Sequence, residues 1–446
     1  MLKRVNKAIE PLPLNNKEDL IEVVKDFLDF YNLNTMTREE RLSLLYTLKN
    51  SIDKEIEKLL EIQKDFEAYL KHIKRAKEVE ELKELHFKIC QLAIKDFLEN
   101  RSPRNLHHIC TYGRDELTKK LILMVEKEME KEGFGLPPVK YAWMSMGSEG
   151  RREQTLNSDQ DNLIVYEEKN KEKLNVKLDD FIIRKLTKID LKEEKRDLSS
   201  VDFLDLYFEI FANKVVDKLD FIGIKRCKGG VMPSNEKWRA SFKKWEERIK
   251  GKVTYGTGLL TVLDIIIIMD LRFVTGDEEL GNNFMDMVHS LVRSNEALLT
   301  EMAESLILMP IPLGVFRKFI LEKSGEHKGM LNLKLGGWAP LVFTLRIYAK
   351  KFDVKETSSI NRIKELTDLK VFDKNFSNDL IFAYQVLMKN RILRQIELFP
   401  NMEGDNFLDP YQLPEEEQDA LKKALQIVEK LQKKAHDHFF AGGFVQ

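Results

Sequence analysis

Apolar residues recur along this chain with two different periods. From about Lys17 to His108 they fall three and four apart, with Leu45, Leu48, Ile52, Ile56, Leu59, Ile62 and Phe66 on one stripe. That spacing predicts an amphipathic helix. The intervening positions are charged, so the segment reads as an antiparallel helical bundle, and its near-heptad spacing also suits a dimer seam. Ser102-Pro103 interrupts the pattern. Helical spacing resumes from Asp115 to Gly133 through Leu117, Leu121, Val125 and Met129, and Gly133, Gly135, Pro137 and Pro138 then turn the chain. Tyr141 to Met146 is a short unbroken apolar run and predicts a buried strand; Leu163 to Tyr166 predicts a second.

A charged loop near Glu167 to Lys173 separates these strands from helix-like segments that end at about Phe221, among them Phe203, Tyr207, Phe211 and Val215. Two glycines and a proline between Cys227 and Asn235 mark a loop. The four successive isoleucines Ile265 to Ile268 favour a buried strand by their β-branching, with Asp270 and Arg272 alternating on one face beyond them. From Ser294 onward the spacing is helical again, with turns at Pro310-Ile311-Pro312, Gly336-Gly337 and Pro400. The last helix, Pro414 to Lys434, opens with proline and three glutamates, as a helix N-terminus should. His436-Asp437-His438 near its end reads as a tail that docks or frays.

These elements predict an α+β fold that is predominantly α-helical, a small mixed sheet flanked by helical domains. Residues 1–114 would form an N-terminal helical domain, 115–290 the core and 291–446 a C-terminal helical domain. The length of 446 residues is enough for two or three domains. Lys and Arg number 73 against 74 Asp and Glu, for a formal net charge of −1. Such a balance supplies no global field for polyanions, so nucleic acid is not an expected partner. Cys90, Cys110 and Cys227 lie far apart without a CxxC pair, which suggests neither a disulfide framework nor a zinc site. His107, His108 and Cys110 lack a fourth ligand at fixed spacing and read as core or helix-end residues. The N-terminus has no apolar stretch of signal-peptide length, and the most apolar run, Leu259 to Met269, is too short to span a bilayer. A cytoplasmic protein is expected.

Chemistry concentrates between Tyr141 and Glu168. Gly147-Ser148 follows the first strand, Arg151-Arg152 makes a basic turn, and Asp159-Gln160-Asp161-Asn162 leads into the second strand. Alternate residues on a strand share a face, so Asp159 and Asp161 point the same way. Two neighbouring carboxylates repel unless a cation lies between them, and hard oxygen donors suit Mg²⁺ or Mn²⁺. Gly147 permits close backbone approach to a phosphate, with the amides of Ser148 and its successors aimed at it. The plain alternative is a polar hairpin with solvated acids.

Gly147-Ser148, a short spacer and Asp159-x-Asp161 resemble the signature of the DNA polymerase β-like nucleotidyltransferase superfamily. The longer string GSEGRREQTLNSDQDN resembles one branch, often fused to CBS and cyclic-nucleotide-binding domains and similar to the protein uridylyltransferase and the glutamine synthetase adenylyltransferase. No CBS or cyclic-nucleotide-binding pattern occurs in the N-terminal third. The resemblance runs from about Asp115 to about Phe399. It implies a metal-dependent transfer of an NMP group from an NTP, ATP or UTP, to an acceptor hydroxyl, first of all on a protein. Asp159 and Asp161 would hold the metal, Ser148 and the amides after Gly147 the phosphates, and Arg151 a further phosphate contact, with Glu153 orienting Arg151 and Asn162 supporting the carboxylates.

The family's third carboxylate would be Asp270, in a DLR string, with Asp264 and Asp277 as alternates and a structural ion pair as the competing role for Asp270. Gly229 and Gly230, in a GGVMxSN string before Trp238-Arg239, would offer amides to phosphate or base. Met330 to Phe352 resembles the family's substrate-binding domain, where Lys334 and Arg346, and similarly Arg362, Arg391 and Arg394, would line the nucleotide cleft. The alternatives are a catalytically silent nucleotide-binding regulatory module and transfer to a small molecule. A homodimer through the N-terminal helices is compatible with either.

Overall fold

The computed structural model describes residues 35–168, 203–293, 295–307, 309–314, 316–399 and 405–440. The helical pattern expected between Lys17 and residue 34, most of the charged loop after Glu168 with the helix-like stretch up to residue 202, and the turn at Pro400 lie outside them. The chain divides into two compact units, Met1–Asp65 and Phe66–Gln446.

The helix α1 (Arg38–Arg75) carries the predicted apolar stripe. Within the second unit, α2 (Val79–Asn100) begins at a reciprocal cap between Glu78 and Glu81. Helix α3 (Pro103–Lys131) begins with Ser102 as N-cap and Pro103 in its first turn. The two pack closely because Gly113 on α3 has no side chain: a Cβ there would lie 2.8 Å from Ile89 Cγ2.

After the glycine-proline turn the chain enters β1 (Tyr141–Ser145), then the single-turn α4 (Gly147–Gly150) and β2 (Asn162–Tyr166). Helix α5 (Phe203–Phe221), β3 (Arg239–Ser241) and α6 (Phe242–Tyr255) follow, and then α7 (Val262–Ile268), β4 (Arg272–Gly276) and α8 (Glu278–Arg293). The sheet order is β3-β2-β1-β4. β1 is antiparallel to β2, with Ser145 opposite Asn162, and antiparallel to β4, while β2 and β3 run parallel. Both faces are covered. Ala142, Met144, Leu163 and Val165 join Trp245, Ile249, Phe284 and Val288 in one core, while Tyr141 and Tyr166 meet the rings of Phe208 and Phe211 on α5. Burial on two faces is why β1 reads as a continuous apolar run.

The C-terminal part holds α9 (Glu296–Ile307), β5 (Leu331–Asn332), α10 (Ala339–Lys351), α11 (Ser359–Asp368), α12 (Lys374–Leu398), β6 (Phe407–Leu408) and α13 (Glu415–Phe440). β5 and β6 form a two-stranded antiparallel ribbon. Gly336-Gly337 lies in a π-helical turn, Lys334–Trp338, that runs straight into α10. The end of α13 docks: His438 lies against the rings of Tyr348 and Phe352. The architecture is therefore the expected α+β fold, mostly helical around a small mixed sheet.

One expected strand is a helix. The isoleucine run forms α7, because Thr261 Oγ1 accepts from the Asp264 amide at 3.2 Å while Asp264 Oδ2 accepts from the Thr261 amide at 2.7 Å. That reciprocal cap, with Ile265, Ile266 and Ile268 all buried, outweighs the β-preference of the side chains. Asp270 accordingly lies in the α7–β4 turn and not on a strand.

Candidate active site

The site grows from the end of β1. The Met146 amide donates to the Asp161 carbonyl at 2.7 Å, tying the chain before the turn to the chain before β2. Gly147 then takes φ +55. A Cβ at this position would collide with the Asp161 carboxylate, so glycine is demanded both by backbone conformation and by the closeness of the acid. The amides of Ser148 and Glu149 begin the helical turn and have no intrahelical acceptor.

Asp159 and Asp161 flank Gln160, which is fully buried and points the other way: its Nε2 donates to the carbonyls of Val216 at 3.2 Å and Ile224 at 2.8 Å. The backbone is held extended by Gln160 N–H to Lys225 O at 2.8 Å and Asn162 N–H to Val231 O at 3.0 Å. The two aspartates therefore share a face although β2 itself starts only at Asn162. Burial pushes the Asp159 carboxyl up, while Lys334, Arg114 and Lys228 draw it down. Burial pushes Asp161 up to about 6, with Asp159 adding to the rise and the Cys227 thiol donating a hydrogen bond that opposes it. Two acids that resist ionising beside exposed lysines form a site suited to a cation and to an anionic ligand together.

The loop after α5 closes one side. Gly230 has φ +68 and its amide donates to the Cys227 carbonyl at 3.0 Å, and Gly229 is exposed. From the C-terminal part only Lys334 of the predicted cations is exposed and near enough to act on both aspartates.

Asp270 is placed differently from expectation. It is completely buried, and its carboxylate accepts from Arg151 Nη1 at 2.6 Å, from Arg362 Nη2 at 2.9 Å and from Arg346 Nη2. Burial would raise its pKa, but Arg346, Arg151 and Arg362 together hold it below the ordinary carboxylate value. Three guanidiniums pack against its two oxygens and none of it is exposed, so it is already charge-paired where a second metal would have to bind. The alternates are also occupied: Asp264 caps α7 and pairs with Lys237 at 2.5 Å, and Asp277 caps α8 and pairs with Lys140 at 3.0 Å. No group of three or more His, Cys, Asp or Glu able to hold a metal occurs among the described residues.

Arg151 and Arg346 are corrected by the same network. Arg151 is 1% exposed, held by Glu153 Oε2 at 2.8 Å and by Asp270, with its guanidinium 5.0 Å from the centre of the Trp338 ring. Arg346 is equally buried and donates to the Ile266 carbonyl at 2.8 Å. Neither can reach a phosphate. Glu153 does orient Arg151. Arg362 is spent on Asp270 and the Glu356 carbonyl, Arg391 lies over Trp338, and Arg394 pairs with Asp405, so these residues form no phosphate-facing wall. Asn162 donates to Glu149 Oε2 at 3.1 Å and supports that side chain, not the aspartates. His107 is a core residue, hydrogen bonded to the Gln154 carbonyl and to Tyr384.

Three residues escaped sequence reasoning. Arg114 on α3 grips the segment before Asp159, Cys227 touches Asp161, and Glu149, buried in the turn beside Asp115, has its carboxyl pushed up to about 7 by burial first and by Asp115 second. Glycine spacing marks the loop holding Cys227; nothing in the sequence pattern singles out the other two.

Two family models match the chain. One, described as "Putative nucleotidyltransferase DUF294", covers residues 88–258. The second, "Putative nucleotidyltransferase substrate binding domain", covers residues 296–439. No curated protein matches the chain. No helix among the described residues is long and apolar enough to cross a membrane.

Proposed function

The chain belongs to the DUF294 nucleotidyltransferase family, and from that premise we propose that it moves a nucleoside monophosphate from an NTP, ATP or UTP, to an acceptor hydroxyl on a protein. The reaction joins the acceptor oxygen to the α-phosphorus and releases pyrophosphate. The observation that carries this reading is the Gly147 corner, where a side chain is excluded so that the Asp161 carboxylate can stand directly beneath the Ser148 turn.

Asp159 and Asp161 fit a divalent cation, Mg²⁺ or Mn²⁺, because their carboxyls are raised by burial, and that of Asp161 also by Asp159, a cost that a bound cation removes. When bound, the ion would offset the negative charge that develops on the leaving pyrophosphate. The chain's own part is binding and orientation. The amides of Ser148 and Glu149 would receive phosphate oxygens, Lys334 would bring its charge from the C-terminal part, and Gly229 and Gly230 would border the nucleotide with backbone alone. A protein acceptor, a cytoplasmic location and a homodimer through α1 complete the proposal.

A second reading draws on one specific observation. Asp270 is sequestered by three arginines, which favours a module that binds a nucleotide without turning it over. Incubating the protein with labelled NTPs, Mg²⁺ and cell lysate separates the two: label on a protein other than this chain supports transfer, and NTP-dependent thermal stabilisation without any transfer supports the silent module. Asp159→Asn is expected to abolish metal-dependent NTP binding while the far-UV circular dichroism stays unchanged. Undiminished NTP binding by that variant would reject the site.

A further inference from the structure

Two successive residues on α3, Arg114 and Asp115, reach opposite halves of the site. Neighbours on a helix point about 100° apart, and the structure uses that divergence. Arg114 is 1% exposed. Its Nη2 donates to the Leu156 carbonyl at 2.7 Å and its Nη1 to the Ser158 carbonyl at 3.1 Å, so one planar guanidinium spans the segment that delivers Asp159. Asp115 binds Arg272 through both oxygens, at 2.7 Å and 2.8 Å. Arg272 in turn donates to the Glu149 carbonyl from Nη2 at 3.2 Å and from Nε at 3.3 Å. Glu149 lies in the middle of the Gly147–Gly150 turn.

The helix bearing both residues is itself held in place, since Gly113, the residue before Arg114, seats α3 against Ile89 of α2. A fork of hydrogen bonds to main-chain carbonyls controls the position of a segment more tightly than a single contact. The two carbonyl groups that Arg114 holds are not otherwise part of a sheet or helix ladder, because β2 begins only at Asn162. The turn held by Arg272 is likewise a single helical turn, too short to keep its own geometry.

We propose that Arg114 and Asp115 are positioning residues with separate duties: Arg114 sets the Asp159 carboxylate for the cation, and Asp115, through Arg272, sets the Gly147–Gly150 turn for the triphosphate. This rests on the nucleotidyltransferase reading of the site. It assigns a role to α3, which lies outside the Gly-Ser and Asp-x-Asp motif. A merely structural role would weaken both kinds of binding alike; separate duties predict a split.

The test uses the full chain with two probes: Mn²⁺ alone, followed by electron paramagnetic resonance, and α,β-methylene-ATP with saturating Mn²⁺, followed by calorimetry. Arg114→Met should weaken Mn²⁺ binding about 10-fold or more, the scale of outer-shell effects on metal sites, and Arg114→Lys should recover part of the loss. Asp115→Asn should leave Mn²⁺ binding within about 2-fold while weakening the nucleotide by about 10-fold, since it removes the charge that holds Arg272. Parallel losses in both variants, or none in either, overturn the assignment. Where Arg114→Met does not fold, the comparison of Arg114→Lys with Asp115→Asn decides on the same criterion. Wild-type protein that takes up neither probe overturns the functional reading instead.

Discussion

Single residues decide whether the corner beneath Ser148 exists. Gly147→Ala places a methyl group into the Asp161 carboxylate and strains a backbone at φ +55. We expect a stability loss of at least about 1 kcal/mol together with loss of metal-dependent NTP binding, read by thermal unfolding with and without nucleotide. Asp161 also makes stability depend on pH. Its carboxyl is raised from 3.8 to about 6 in the folded chain, so the folded state binds its proton more tightly than the unfolded state. The resulting penalty is absent below the unfolded value, grows as pH rises, and is complete above about 6. Asp161→Asn should therefore raise the melting temperature of metal-free protein near pH 8 and leave it unchanged near pH 4, both rough choices on either side of the shift. The same variant should fail to bind Mn²⁺ at either pH. A melting temperature that rises equally at both values would remove the electrostatic explanation.

Among elements, the α7–β4 turn holds several others together. Asp270 joins α4's following residue Arg151 to Arg346 of α10 and Arg362 of α11, and Thr357 Oγ1 donates to the Gly150 carbonyl at 3.0 Å nearby. Gly150 has no room for a side chain because the Asp270 carbonyl lies against it. Asp270→Ala leaves the buried guanidiniums of Arg346 and Arg362 without a carboxylate and Arg151 with Glu153 alone, and breaking a buried ion pair from one side costs about 3–5 kcal/mol. Denaturant unfolding of that variant should show a loss of this order, much greater than the loss from Asp159→Asn. A small loss would reopen Asp270 to a role at the metal. The periodic spacing of α3 and α13 was readable because each buries one stripe, and that of α1 because its apolar residues keep to one stripe although most of it is exposed. The isoleucine run was not, since its periodicity is that of any fully buried segment and its cap, Thr261 with Asp264, consists of residues equally at home in a turn.

At the scale of the whole molecule, α1 leaves a surface to account for. Leu42 and Ile56, Leu45, Ile52 and Leu59, and Tyr46 and Leu60 follow three positions of a seven-residue repeat and are between 44% and 60% exposed. Phe66 and Ile73 continue one of those rows and are buried. Such a seam fits a second copy of the same helix. Parallel pairing in register would set two Lys49 ammonium groups face to face, so the antiparallel arrangement is expected. Sedimentation of the full chain should give a dimer, and Ile52→Asp with Leu59→Asp a monomer with unchanged NTP-induced stabilisation. A wild-type monomer at micromolar concentration would remove the seam from the proposal.

The amino-acid order by itself determined the helical class, the two central strands, the Gly147 turn and the shared face of Asp159 and Asp161, because each depends on neighbours within a few positions. Tertiary structure alone decided which charges face the ligand. Arg151, Arg346 and Asp270 are separated by long stretches of chain, and only packing makes them satisfy one another, while Lys334 is left outward beside the aspartates. A charged group's role follows from which opposite charge the fold brings to it, and that partner is set by long-range contacts that local pattern does not encode.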